Sequence, residues 1–249
     1  MFPHSSLLLS SAGFLVNYLA QGGGGASGGV VGASTGKSGG GGAGQLKLGT
    51  LALSGGQSLA IVVGAGETAV APTVKGGDSA IASLVTALGG GRGGGATQAG
   101  HNGGNGGGGG NVDSVGATAG GSGDHKGGQG SFGSANAGGG GGTGGDGADG
   151  FSPGAAGVGN VSSISGTPTN YGVGGSAEGS STSTAKGSGG YGLDGADFAI
   201  GNDQSGVDGV AGVVIISYPG AAKATGGTIT NPTGFTVHTF TTSGTFKVN

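Results

Sequence analysis

Glycine fills 74 of the 249 positions, and much of it stands in unbroken runs at residues 22–25, 39–42, 89–91, 93–95, 106–110 and 138–142. Glycine has no side chain to bury and loses more backbone freedom on ordering than any other residue. A chain of this kind either stays disordered or builds an interior from backbone against backbone. Val, Leu, Ile and Phe together lie near the ~20% level below which disorder sets in. Disorder also calls for a high net charge, and here the balance is −3 with 8% charged residues. A collagen triple helix does not fit, because the glycine runs break any three-residue register and six prolines are too few.

Apolar residues form islands at residues 7–20, 46–63, 69–88, 207–218 and 235–248, with almost no apolar run between 89 and 206. Most islands read as strands. Phe14, Val16 and Tyr18 alternate with Leu15, Asn17 and Leu19, and Val213 to Ile216 is an unbroken β-branched run. Gly55-Gly56 reads as a turn between two strands. Residues 235–240 and 245–248 flank Ser243-Gly244 and read as a hairpin. Residues 79–88 read either as a short helix, with Ile81, Leu84, Val85 and Leu88 on one face, or as an irregular strand.

The glycine strings have a physical solution. A left-handed extended helix with three residues per turn makes no internal hydrogen bonds and points its N–H and C=O groups sideways. Neighbouring helices satisfy one another only at close approach, which demands glycine at the contacts and leaves Ser, Thr, Ala, Asn and Asp for rims and turns. Buried backbone groups must be paired, so such a bundle is either well ordered or not formed.

Several functions are disfavoured. Eight Lys and Arg are scattered singly, so no basic stripe neutralises phosphates and no nucleic-acid partner is expected. No apolar run is long enough for membrane insertion, and the absence of cysteine removes thiolate chemistry. No export signal is expected, since no Lys or Arg precedes Leu7 to Leu9. Gly36-Lys37-Ser38 lacks the leading glycine of a phosphate loop, where Val31 stands, and no helix follows. The match to a dinucleotide fingerprint at residues 64–69 runs into Pro72. Residues 144–152 match one calcium-binding nonapeptide and 189–197 nearly match, but without tandem copies their aspartates read as solvated loop residues. His4, His101, His125 and His238 have no ligand spacing, and no carboxylate pair is placed for acid–base work. We expect no enzyme activity, no cofactor and no metal site.

One resemblance accounts for most of the chain. The segment Gly55-Gly56-Gln57-Ser58-Leu59-Ala60-Ile61-Val62-Val63-Gly64-Ala65-Gly66, the segment Gly76-Gly77-Asp78-Ser79-Ala80 running into Ala87-Leu88-Gly89-Gly90-Gly91, and Gly212-Val213-Val214-Ile215-Ile216-Ser217-Tyr218-Pro219 resemble the glycine-rich domain of tailed-bacteriophage fibre and adhesin proteins. Residues 237–248 resemble a hairpin that accompanies it. The chain departs from that pattern in carrying Ser217 where an Arg usually precedes the closing Tyr-Pro, and in placing the hairpin at the C-terminus.

The fold expected from composition and resemblance is mostly irregular and β: a glycine-rich sandwich of polyglycine-II helices capped by short β-strands and hairpins. Three parts follow: an N-terminal docking segment (1–13), the sandwich with its capping strands (14–220) and a C-terminal β-hairpin (221–249). The resemblance implies a virion location and a role as tail fibre, spike or adhesin subunit that displays loops to a host-surface saccharide or protein. A decoration or assembly protein without a receptor, and a bacterial glycine-rich surface protein, are the alternatives. Tyr171 and Tyr191, isolated among small residues in turn-prone surroundings, are the expected receptor contacts. Phe2, Leu7, Leu8 and Leu9 are expected to dock on another virion protein or on an identical copy of the chain.

Overall fold

The computed structural model describes residues 13–29, 36–70, 74–111, 120–131, 136–151, 154–177, 179, 183–193 and 205–249. These form twelve strands and no helix: β1 (Phe14–Gln21), β2 (Leu46–Leu53), β3 (Ser58–Val62), β4 (Ser79–Ile81), β5 (Val85–Ala87), β6 (Asn160–Ser162), β7 (Thr169–Tyr171), β8 (Val213–Pro219), β9 (Ala224–Thr225), β10 (Thr228–Thr230), β11 (Phe235–Phe240) and β12 (Gly244–Val248). Ten of them make two antiparallel five-stranded sheets, ordered β10-β11-β8-β1-β2 and β5-β4-β3-β12-β9, and β6 pairs with β7 in a separate hairpin.

The sheets bury one common core. Val16, Ala20, Leu53, Val214, Ile216, Tyr218 and Phe240 come from the first sheet, and Leu59, Ile61, Ile81, Val85, Ala87, Phe246 and Val248 from the second. Alternation along each strand decides which residues enter it. In β8, Val214, Ile216 and Tyr218 face this core while Val213 and Ile215 face the other way. That second face is covered by the β6–β7 hairpin, whose Tyr171 and Ile164 join Leu19, Val213, Ile215 and Val237 in a smaller cluster. The β-branched run of β8, Val213 to Ile216, is therefore covered on both sides, as its composition requires.

Two sequence expectations change. Residues 79–88 are neither a helix nor a single irregular strand but a hairpin, with Ser79↔Ala87 and Ile81↔Val85 in register. Period-two burial overrides the helical spacing: Ile81 and Val85 are buried, while Leu84 and Leu88 are 53% and 41% exposed. The hairpin expected between residues 235–240 and 245–248 does not form, and β10 and β11 make the C-terminal hairpin instead. β11 pairs with β8 and β10, whereas β12 pairs with β3 and β9. Residues 241–243 cross from one sheet to the other, so Phe240 and Phe246 enter the shared core from opposite sides. Side by side in one hairpin, the two strands could not fill that core from both walls.

The register places Gly13 and Asn249 at one pole and the glycine strings at the other. β1 ends, β2 begins, β3 ends, β5 ends and β8 begins at one pole, where strings 22–29, 36–45, 63–68, 88–95 and 205–212 connect. Between residues 89 and 206 the described residues hold only β6 and β7 as strands, yet their backbone groups are paired laterally. Ser38, Gly41 and Gly44 donate N–H bonds to the carbonyls of Leu193, Gly190 and Gly187 at 3.0, 2.8 and 2.9 Å. Gly90 and Gly93 bond to Gly23 and Ala26, and Gly103, Gly106 and Gly109 bond to Ser122, His125 and Gly128. Each series advances three residues at a time on both strings. A Cβ added at Gly108 would fall on the carbonyl oxygen of Gly138, and one at Gly140 on that of Gly41.

A further repeat escaped the sequence reading. Sharp turns at 103–105, 123–125 and 143–144 mark successive out-and-back excursions of the chain. Asn102 and Asn105 accept the N–H groups of Ser122 and His125 through Oδ1, and Asp146 and Asp149 accept those of Lys126 and Gln129, each pair twenty residues apart. The signal was legible as Asn and Asp at three-residue spacing beside glycine runs. These side chains serve backbone donors that find no lateral carbonyl.

Candidate functional site

The expected contact residues separate. Tyr171 is 2% exposed. It closes the cluster beneath the β6–β7 hairpin, because β7 turns its ring onto Leu19, Val213 and Ile215. It presents no free face, and the expectation that it stands at a loop surface is corrected. Tyr191 is half-buried along the string that pairs with residues 38–44. Phe2, Leu7, Leu8 and Leu9 lie outside the described residues. Phe151 is 75% exposed beside the turn at the pole away from the sheets.

Buried polar groups in the string region hold backbone. Gln21 Nε2 donates to Gly44 O at 2.8 Å, Asn105 Nδ2 donates to Ala43 O and Gly44 O, and Ser79 Oγ joins Gly64 N–H to Gln21 O. Glu67, 3% exposed, accepts the Ala26 N–H and faces the Arg92 guanidinium at 3.6 Å, while Arg92 also donates to Ala69 O. Ser38, from the near-phosphate loop, accepts the Leu193 N–H. Asp146 and Asp149, from the calcium-like nonapeptide, are engaged as backbone acceptors, and no three His, Asp or Glu among the described residues stand together.

In the sheet core, His238 is fully buried between Tyr218 and Phe246. Its Nδ1 lies 2.7 Å from Gly226 O, which can only accept, so Nδ1 carries the proton. Nε2 therefore accepts from the Tyr218 hydroxyl at 2.9 Å, and that oxygen accepts the Lys223 N–H at 3.0 Å. Burial pushes the imidazole below the ordinary histidine range, partly opposed by the Gly226 carbonyl. His101 is also held low, by burial and then by the Arg92 charge.

A cleft of about 830 Å3 with room for a ligand lies on the outer face of the first sheet. Asn17, Thr50 and Ser217 form its floor, from β1, β2 and β8. Ser163, Ile164 and Gly166 wall it from the β6–β7 turn, and Pro232, Thr233 and Phe235 from the connection into β11. Gly166, at φ +96°, lies against the Pro232 ring, which ties the two walls together. Leu48, 54% exposed, and Phe235, 44% exposed, present apolar surface to the opening. No Asp, Glu, Lys, Arg or His lines it. Sequence reasoning missed this site because its residues come from five separate segments. The signal present was polar Asn17 and Ser217 interrupting otherwise apolar strands.

No curated protein and no solved structure matches the chain. A family model described as a glycine-rich domain matches residues 10–219. That span includes β1 to β8 and all the laterally bonded strings, and the chain belongs to this glycine-rich domain family.

Proposed function

We propose that the chain is a non-enzymatic structural protein of a phage virion, a tail fibre, spike or adhesin subunit that holds loops toward a host surface. The observation that carries this reading is the three-residue advance of the hydrogen bonds between strings, with a backbone carbonyl at most of the glycine contacts. We read the strings as polyglycine-II helices, since three residues per turn is their period. A bundle of this kind is stiff without a side-chain core. It carries connections at the pole away from the sheets with little ordering cost on binding. Thr97, Gln98, Ala99 and Phe151 are exposed at that pole. The low charge favours contact by stacking and hydrogen bonding over electrostatic capture.

Docking to a neighbouring virion protein is assigned to residues 1–13, where Phe2 and Leu7 to Leu9 supply apolar surface. The described chain starts at Gly13, at the pole opposite the strings. A protein joined to the particle at one pole and exposed at the other suits a terminal fibre position.

Two measurements test this. Antibody against the purified protein is expected to decorate particles at a tail or fibre tip, and the protein is expected to bind host cells. Absence of the protein from purified particles would overturn the virion assignment. Presence in particles without binding to any host cell would favour a decoration or assembly role.

A further inference from the structure

We infer that the cleft on the outer face of the first sheet is a binding site for a neutral saccharide. The inference deepens the proposed recognition role by adding a site on the sheet region, distinct from the loops at the far pole.

The floor is a register row. Asn17 stands opposite Thr50 on one side and opposite Ser217 on the other. Adjacent strands lie about 4.8 Å apart, so three uncharged hydrogen-bonding side chains cross the floor over about 10 Å. None of the three bonds to another described residue through its side chain. Ser217 is the telling member. It is 5% exposed, it interrupts the apolar run of β8, and it lines the cleft. A hydroxyl with no protein partner is left for solvent or a ligand to satisfy.

The chemistry of the three groups selects the ligand. Ser and Thr hydroxyls and the Asn amide each donate and accept, which matches sugar hydroxyls that also do both. Phe235, Leu48, Ile164 and Pro232 give the flanks apolar surfaces for the C–H faces of a pyranose ring. The uncharged lining gives a carboxylated or phosphorylated ligand no counter-charge. A wholly apolar ligand would strip water from Ser217 and Asn17 and return no hydrogen bond. A volume of about 830 Å3 lies in the ordinary range for small-molecule sites and admits roughly two to four sugar units.

The test uses the intact protein against an array of neutral pyranose oligosaccharides, followed by calorimetry and saturation-transfer NMR with the strongest binder. At least one neutral oligosaccharide is expected to bind. Ser217→Ala, Asn17→Ala and Thr50→Val should each weaken it about 3- to 10-fold, and Phe235→Ala should remove ring-proton saturation transfer. Val62→Thr, exposed on the second sheet, should leave affinity unchanged. Thr50 is exposed on an edge strand, where valine is a good strand former, so that variant reports even if Ser217→Ala fails to fold. The inference is overturned if no neutral oligosaccharide binds, if an apolar peptide binds the cleft instead, or if a sugar binds with the same affinity to the folded floor variants. Host-cell binding measured in parallel separates the two readings. Saccharide binding that is untouched by the floor variants, with cell binding intact, sinks the saccharide cleft and leaves the adhesin role standing. Saccharide binding through the cleft without cell binding does the reverse.

Discussion

The sheet region and the string region are held together by opposite means, and glycine has a different job in each. The sheets bury fifteen core side chains between them, and their glycines serve conformation. Gly56, Gly220 and Gly234 have φ of +76°, +88° and +80°, and a Cβ there would meet nothing within 4 Å. In the strings the situation inverts. Gly108 and Gly140 are outside the left-handed region, yet a Cβ at either would fall on a neighbouring carbonyl oxygen. The first region tolerates a missing contact by repacking. The second has few side chains to repack, so its order depends on a set of close backbone approaches.

The largest effect expected from that contrast is at Gly140. Gly140→Val places a branched side chain against the backbone of Gly41, and a backbone carbonyl has no rotamer with which to yield. The loss should exceed the ~3 kcal/mol upper end of ordinary overpacking and should remove amide protection throughout 136–142 and 38–45. Hydrogen exchange with mass spectrometry reads this directly. Retained protection in those strings would mean that they are not bonded to one another. Phe246→Ala is the matching lesion in the sheets and should cost about 3–4 kcal/mol. Thermal unfolding should show a lower midpoint for the whole sandwich, with the strings still protected below it.

A middle-sized effect lies at the polar pair inside the sheet core. Tyr218→Phe leaves His238 Nε2 without its donor and the Lys223 N–H without its acceptor, at a cost of about 1–3 kcal/mol. The same pair makes stability depend on pH. His238 is neutral in the fold with its pKa lowered by burial, so the unfolded chain binds the proton more readily. The contribution is complete above the ordinary histidine value of about 6.5. It declines as the pH falls below that value and is exhausted only at His238's own lower pKa. Urea unfolding of the wild type between pH 8 and 5 should therefore lose stability on the acid side. A His238→Gln variant, which cannot titrate, should show a flatter profile. An unchanged profile would assign the acid sensitivity elsewhere, with His101 the next group to vary.

How much was legible beforehand follows the same division. The strands at 14–21, 46–53, 58–62 and 213–219 were readable because alternation and β-branching act locally. The close backbone approach was also readable, since only glycine permits it. Two things were not local. Which sheet β12 joins depends on where Phe240 and Phe246 meet in three dimensions. Tyr171 looked like an isolated loop aromatic because its partners Leu19, Val213 and Val237 are distant in sequence. The cleft was hidden for the same reason: the Thr50, Asn17, Ser217 row exists only once β2, β1 and β8 are in register.

The smallest effect isolates the cause of each glycine. At Gly56 the obstacle is φ alone, so Gly56→Ala should cost about 1 kcal/mol for placing an L-residue in the left-handed region. Gly56→Asn should be closer to neutral, because asparagine visits that region through local hydrogen bonding. At Gly140 the obstacle is space. Alanine and asparagine there should both be severe, with asparagine no better, since either Cβ falls on the Gly41 carbonyl. The ordering Asn above Ala at Gly56, and no such gain at Gly140, is readable from melting temperatures of four single variants. If asparagine rescued Gly140 relative to alanine, conformational preference rather than close approach would govern the strings. The division between the two regions would then have to be redrawn.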